Sequence, residues 1–308
     1  AIVDVDSGTV LVQTSEETLA REGQDAVIQR MGNLFLRLIR SAKFDPDEIG
    51  GIGIGVPGVL DLEKGTTKFL PNLPGTWPDV PLRDKIQKHT GLPTALLNDV
   101  RSITFGEWKF GAGMGVDTVA VLAIGTGIGG GLVINNQLHL GIGGTGGELG
   151  HMTINFDGPR CGCGNYGCLE AYASGPAIAA MGMKAVSQGL TTRIADLCEY
   201  DLNKITPYLI AQAALEGDEI AMEIYENAGM YLGVAAAILC ASVSPKRIIV
   251  AGGVANAGRL LFDQMEETMR KRVSIMQVEQ VQIVPAALGE QAGVIGSALW
   301  AKTMVESS

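Results

Sequence analysis

His151, Cys161, Cys163 and Cys168 are the residues whose types and spacing most directly imply chemistry. Three thiolates and one imidazole supply four soft or borderline donors, the number that closes a tetrahedral zinc site. The C-x-C-x4-C run is compact, and glycines at 162, 164 and 167 let the chain fold tightly enough for the sulfurs to converge. Four protein ligands leave no open position for a substrate, so the expected metal is structural rather than hydrolytic. The plainer reading is three reduced cysteines in a loop.

Asn98-Asp99 follows a short apolar run, and Asp99 is a general-base candidate. A carboxylate there can accept a proton from a substrate hydroxyl while a neighbouring amide orients that hydroxyl. The same pair at a strand-to-helix junction also reads as a helix cap. Gly125-Thr126-Gly127-Ile128-Gly129-Gly130-Gly131 offers backbone amides and one hydroxyl suited to phosphate oxygens. It lacks the lysine of a Walker loop, and a hairpin turn of small residues accounts for it equally well. Ala251-Gly252-Gly253 carries the same two readings. Glu148 and Glu170 flank the cysteine run, each beside a glycine-rich turn, as solvated surface or as partners for a sugar hydroxyl.

The elements that must position these groups are legible in outline. Residues 2–13 read as a hairpin around an Asp-Ser-Gly turn. Apolar spacing predicts a helix over 24–41. Strands are expected at 51–58 and 93–97, the second followed by a helix containing Phe105 and Trp108. Thr118–Ile124 and Ile128–Ile134 read as a strand pair around the Gly125-Thr126-Gly127 turn. Residues 206–242 read as helical, followed by a strand at 247–250, a helix at about 257–273, a strand at 281–285 and a last helix from about 291. Alternating strands and helices predict an α/β protein with mainly parallel sheets, in which ligands sit beyond the carboxyl ends of strands. The glycine turns fall at those ends.

Composition excludes several classes. The 308 residues are 46% hydrophobic and 18% charged, which is not a disordered composition. A net charge of −10 argues against a nucleic-acid or anionic-membrane surface. No uninterrupted apolar run reaches a membrane span, and no basic-then-apolar leader is read at the start. Glycine, at 42 residues, is about twice its usual share of roughly 7%. Five cysteines in so long a chain are not a disulfide framework, and a reducing, cytoplasmic location is expected. Cys198 and Cys240 read as buried small hydrophobes; His89 and His139 sit in no constellation.

Taken together, these segments resemble the ROK family of bacterial sugar kinases, related repressors and the kinase half of the animal bifunctional sialic-acid enzyme. The resemblance rests on Gly55-Val-Pro-Gly58, Pro71-Asn72-Leu73-Pro74, Leu97-Asn98-Asp99 and Gly125–Gly131. Gly147-Glu148-Leu149-Gly150-His151 and Cys161–Glu170 complete it, with the His-to-Cys interval of the family's zinc motif. It spans nearly the whole chain. Within the family, Pro-Asn-Leu-Pro-Gly followed by tryptophan looks most like the glucokinases, while Asp157-Gly-Pro-Arg-Cys-Gly-Cys-Gly and Ala171-Tyr-Ala-Ser-Gly look like the N-acetylmannosamine kinases.

The resemblance implies a hexokinase/actin-like (ribonuclease H-like) α/β fold of two domains with an interdomain cleft. They would be a smaller one over 1–104, with a last helix at about 290–306 packing back onto it, and a larger one over 105–289 carrying the zinc loop. It implies ATP-dependent phosphorylation of the primary 6-hydroxyl of a hexose, glucose first, with N-acetylmannosamine or fructose as alternatives. A sugar-sensing regulator is the non-enzyme alternative. Asp99 would be the base; Asn98, Glu148, His151 and Glu170 would hold sugar hydroxyls, with Gly58, Val59, Asn72 and Gly127 lining the pocket. Thr126, Gly127, Gly252 and Gly253 would contact the nucleotide, and Mg²⁺ would arrive with ATP. His151 would bind zinc through one ring nitrogen and face a sugar hydroxyl with the other. A homodimer or homotetramer is expected, with no nucleic-acid or membrane partner.

Two departures accompany the resemblance. Family kinases open with a strand and a D-x-G-G-T-K phosphate loop, and Asp4-Val-Asp6-Ser-Gly8-Thr9 is similar to it. The spacing to Thr14 aligns residues 1–13 with the second strand and turn instead, so the first strand and its loop are expected to be absent from this sequence. Second, the family commonly has Asn-Asp-Ala-Asn, whereas this chain has Asn98-Asp99-Val100-Arg101, which alters the surroundings of Asp99.

Overall fold

The computed structural model describes residues 1–307. The chain divides into two compact units: unit 1 is Ala1–Gly115, Gln137–Gly147 and Ala287–Ser308, and unit 2 is Val116–Asn136 and Glu148–Ala286. A boundary at 104/105, as the sequence suggested, would cut a continuous helix; the units part at Gly115/Val116, after that helix has ended.

Unit 1 begins with strands β1 (Ile2–Asp4) and β2 (Thr9–Val12), an antiparallel hairpin. Its turn spends its polar groups on itself. The Ser7 hydroxyl and the Asp6 N–H donate to the Asp4 carboxylate at 2.8 and 3.0 Å, holding that carboxyl below its ordinary range. Helix α1 (Gln24–Ser41) follows, then β3 (Ile52–Val56), β4 (Val59–Asp61), β5 (Thr66–Phe69), α2 (Leu82–Thr90), β6 (Thr94–Asn98) and α3 (Asp99–Phe110). β3 pairs in parallel with β6, placing Val56 opposite Asn98, while β4 and β5 form an antiparallel hairpin. Apolar faces of α1 and β3 meet in a core of Val27, Ile28, Ile52, Ile54, Val56 and Leu96, joined by Trp77 and Ile86.

Helix α10 (Ala292–Glu306) completes unit 1 from the far end of the chain. It packs on α3 and β3 where side chains are missing: a Cβ on Gly296 would stand 1.8 Å from Ser102 O, and one on Gly53 would stand 1.7 Å from Ser297 O. Trp300 Nε1 donates to Leu96 O at 2.9 Å, and Phe105 stacks on Trp108 and meets Trp300 edge-on.

Unit 2 holds β7 (Val119–Ile124) and β8 (Ile128–Ile134), while the short β9 (Gln137–Leu138) opens the second segment of unit 1. Helices α4 (Glu170–Ala173), α5 (Gly175–Ser187), α6 (Arg193–Leu197), α7 (Pro207–Leu215) and α8 (Glu219–Val243) precede β10 (Arg247–Ala251), α9 (Arg259–Arg272) and β11 (Gln282–Pro285). Within the unit the strand order is β11-β10-β7-β8, parallel except for the β7–β8 hairpin. The sheets are therefore mixed rather than mainly parallel, because the short hairpins add antiparallel pairs. α8 is long and apolar enough to cross a membrane by composition, but Ala228, Leu232, Ala235, Ala236 and Leu239 lie in the core. Gly229 and Gly233 admit α9 so closely that a Cβ would meet Leu261 O at 2.7 Å and Thr268 Cβ at 2.5 Å. Such packing belongs to a core helix.

Candidate functional site

In unit 1 the first turn of α3 assembles the acid–base candidate. Asn98, buried at the end of β6, is the N-cap: its Oδ1 accepts from Val100 N and Arg101 N at 3.0 and 3.2 Å. The capping reading of Asn98 therefore holds, and it coexists with a carboxylate one residue on. Asp99 is half-buried at the first helical position, its Oδ1 accepting from Val100 N at 2.9 Å. Asn98 Nδ2 donates to Gly58 O at 3.1 Å, drawing the turn after β3 against the head of α3. Gly58 has φ +103°, and a Cβ there would stand 2.2 Å from Phe69 O, so only glycine fits. Val59 opens β4, and Asn72 is exposed in the loop after β5. That loop is anchored by Leu70 N donating to Thr76 O at 2.8 Å and by the buried Trp77, whose own φ is positive.

In unit 2 the glycine turns come together at the carboxyl ends of neighbouring strands. Gly125-Thr126-Gly127 closes the β7–β8 hairpin, with Gly125 N donating to Gly127 O at 2.9 Å and Thr126 exposed. β10 runs parallel to β7 with Ala251 opposite Ala123, so Gly252 and Gly253 emerge beside that turn. Gly252, at φ +89°, is so close that a Cβ would meet Ile124 O at 2.3 Å. Two adjacent turns with exposed backbone and little side-chain bulk form a cradle that an anion can approach.

Ile128 organises the rest of this half. Its N–H donates to Glu170 Oε2 at 2.9 Å, and its carbonyl lies where a Cβ on Gly150 would stand at 1.9 Å. Gly150 thus lets the short turn Leu149–His151 press against the start of β8. Glu148 is exposed just before that turn, and its carbonyl accepts from His151 N at 3.1 Å. Glu148, His151, Glu170 and Gly127 accordingly share one neighbourhood around Ile128.

The donor atoms of His151, Cys161, Cys163 and Cys168 lie within 4.8 Å of one another. Cys163 Sγ and Cys168 Sγ are 3.7 Å apart, as are Cys161 Sγ and His151 Nδ1. A tetrahedral zinc with Zn–S of about 2.3 Å sets its sulfurs about 3.8 Å apart, so these residues fit a closed four-ligand site. The ring nitrogen on the sulfur side is Nδ1. As thiols, the three differ: burial pushes Cys161 up and Cys168 up to about 12, while the Asn165 N–H beside Cys163 draws it down. Glu170 Oε1 lies 3.7 Å from Cys161 Sγ, so one carboxylate spans the cluster and the start of β8. Cys198 and Cys240 are buried away from it.

Two buried charged residues of α3 escaped the site assignment. Arg101, met in the sequence only as a departure, donates from Nε to Gly146 O at 2.8 Å. Glu107 is fully buried and accepts three backbone N–H groups. An arginine or glutamate at helical spacing carries no sequence sign of burial.

A glucokinase of Thermotoga maritima is 36% identical over 296 residues, covering 95% of this chain and 90% of the relative. A xylose repressor of Caldicellulosiruptor bescii is 32% identical over 289 residues, covering 94% of this chain and 71% of the relative. Among solved structures, a ROK family glucokinase from Streptomyces griseus in complex with glucose and AMPPNP is 30% identical. It superposes with a TM-score of 0.81 over 98% of this chain and 94% of that one. The fold is thus that of the ROK hexokinases, and the ROK family model matches residues 5–304. On that match and these identities, this α/β chain belongs to the ROK family.

Proposed function

We propose that the chain is an ATP-dependent sugar kinase that phosphorylates the primary 6-hydroxyl of a hexose, converting glucose to glucose 6-phosphate. The observation that carries this reading is Asp99, a half-buried carboxylate held at a helix start, in a chain that also sets two glycine turns side by side at the ends of β7 and β10. Asp99 takes the proton as the hydroxyl oxygen attacks the γ-phosphorus; the P–O bond to the leaving ADP breaks in line. Phosphoryl transfer asks chiefly for positioning and charge neutralisation, and Mg²⁺ arrives with the nucleotide. Backbone amides of Thr126, Gly127, Gly252 and Gly253 serve the phosphates. Gly58, Val59, Asn72, Asn98, Gly127, Glu148, His151 and Glu170 serve the sugar, as the family resemblance implies.

A zinc ion in the cysteine cluster would lock the loop and fix the tautomer of His151. His151 would hold the metal through one ring nitrogen and leave the other for a sugar hydroxyl. Free cysteines and ATP as co-substrate fit the cytoplasm. A coupled assay of ADP release with Mg-ATP and a panel of glucose, mannose, fructose and N-acetylmannosamine tests the reading. Turnover fastest on glucose supports it; turnover on none of the four removes it.

A second reading, a sugar-responsive regulator, is favoured by the xylose repressor relative. Sugar binding by calorimetry without any ADP release would select it.

A further inference from the structure

We infer that Arg101 is a positioning residue for sugar recognition, tying the helix turn that bears Asn98 and Asp99 to the neck of the 140–146 loop. The inference rests on the kinase reading above. Arg101 is 2% exposed, and arginine is rarely so buried unless its guanidinium is engaged. Its backbone N–H is held by the Asn98 cap at 3.2 Å, which sets where the side chain starts. Its Nε donates to Gly146 O at 2.8 Å. The other side of Gly146 is fixed as well, because its N–H donates to Leu140 O at 2.7 Å. A Cβ on Gly146 would meet backbone of Gly141 and Leu140 at 2.9 Å, so the neck of the 140–146 loop is closed by backbone against backbone.

Two residues beyond this neck is Glu148, and five beyond it is His151. Unit 1 ends its middle segment at Gly147, one residue after this anchor. One guanidinium therefore holds the exit of this loop to the same helical turn as Asn98 and Asp99. The asparagine that the family resemblance places at 101 is uncharged, and its terminal nitrogen falls one atom short of Nε. The anchor is thus a property of this chain's Arg101.

Two variants test this, Arg101→Met, which keeps the bulk and removes the donor, and Arg101→Lys, which keeps the charge and loses the planar Nε–H. Hydrogen exchange of peptides covering 140–150 should quicken at least tenfold in Arg101→Met, with peptides covering β3 unchanged. The KM for sugar should rise at least tenfold while the KM for ATP stays within twofold, and Arg101→Lys should fall between. Unchanged exchange at 140–150 overturns the anchor whatever the kinetics show. Loosened exchange with unchanged sugar KM overturns the role in recognition. If Arg101→Met does not fold, Arg101→Lys alone decides by the same two readouts. A wild-type protein without kinase activity on any sugar overturns the kinase reading, and with it the recognition role, while the exchange result still decides the anchor.

Discussion

The carboxylate of Glu107 accepts the backbone N–H of Leu288 at 2.7 Å, joining residues 181 positions apart. Its second oxygen accepts from Ala112 N at 2.9 Å and Ala287 N at 3.0 Å. Ala112 lies on the stretch by which the chain leaves unit 1 for β7, and Ala287 is where it re-enters before α10. One buried side chain thus fastens exit to re-entry.

Glu107→Ala removes the acceptor of three part-buried backbone N–H groups, on residues that water partly reaches. Urea denaturation should show a loss of about 1–3 kcal/mol. Glu107→Gln should recover only part, since its NH₂ group meets donors. An alanine variant as stable as the parent would mean that water serves these amides.

Asp99→Asn removes the base and keeps the shape. Turnover should fall by at least about a hundredfold to ten-thousandfold, while glucose affinity by calorimetry stays within a few-fold. Near-normal turnover would remove Asp99 from the role assigned to it.

Metal analysis should find about one zinc per chain, and chelation should lower the melting temperature. Cys168→Ser should cost more stability than Cys163→Ser, because Cys168 is fully buried and Cys163 is exposed. Equal losses would point to the metal alone as the source of stabilisation.

Gly296→Ala drives a methyl onto Ser102 O and should destabilise by about 3 kcal/mol or more, the upper range for overpacking. Gly293→Ala, with only Ile103 nearby at 3.8 Å, should be close to neutral. A thermal-melt comparison of the two checks that close packing, rather than helix propensity, is responsible.

Periodic or strongly patterned segments were legible in the sequence. Helix α1, the β7–β8 hairpin, β10 and α10 fall within a few residues of their expected spans, because each carries an apolar run with glycine or proline at its end. The metal cluster was legible because cysteine spacing is rare and specific. The β4–β5 hairpin and α2 were not: β5 is a four-residue Thr-Thr-Lys-Phe run, and α2 is short and largely polar. Nor was the place of residues 137–147 in unit 1, which no pattern of residues marks. Asp99 and Asn98 were legible as a pair, but the capping bonds that orient them required the structure.

The return of α10 also bears on how the protein is made. Ribosomes deliver the chain from its amino end, so β3, β6 and α3 emerge long before the helix that covers them. All of unit 2 is synthesised in between and can settle first. Until Ile295, Leu299 and Trp300 arrive, the face of β3 around Gly53 waits uncovered, and chains truncated before residue 292 are expected to attract chaperones or aggregate.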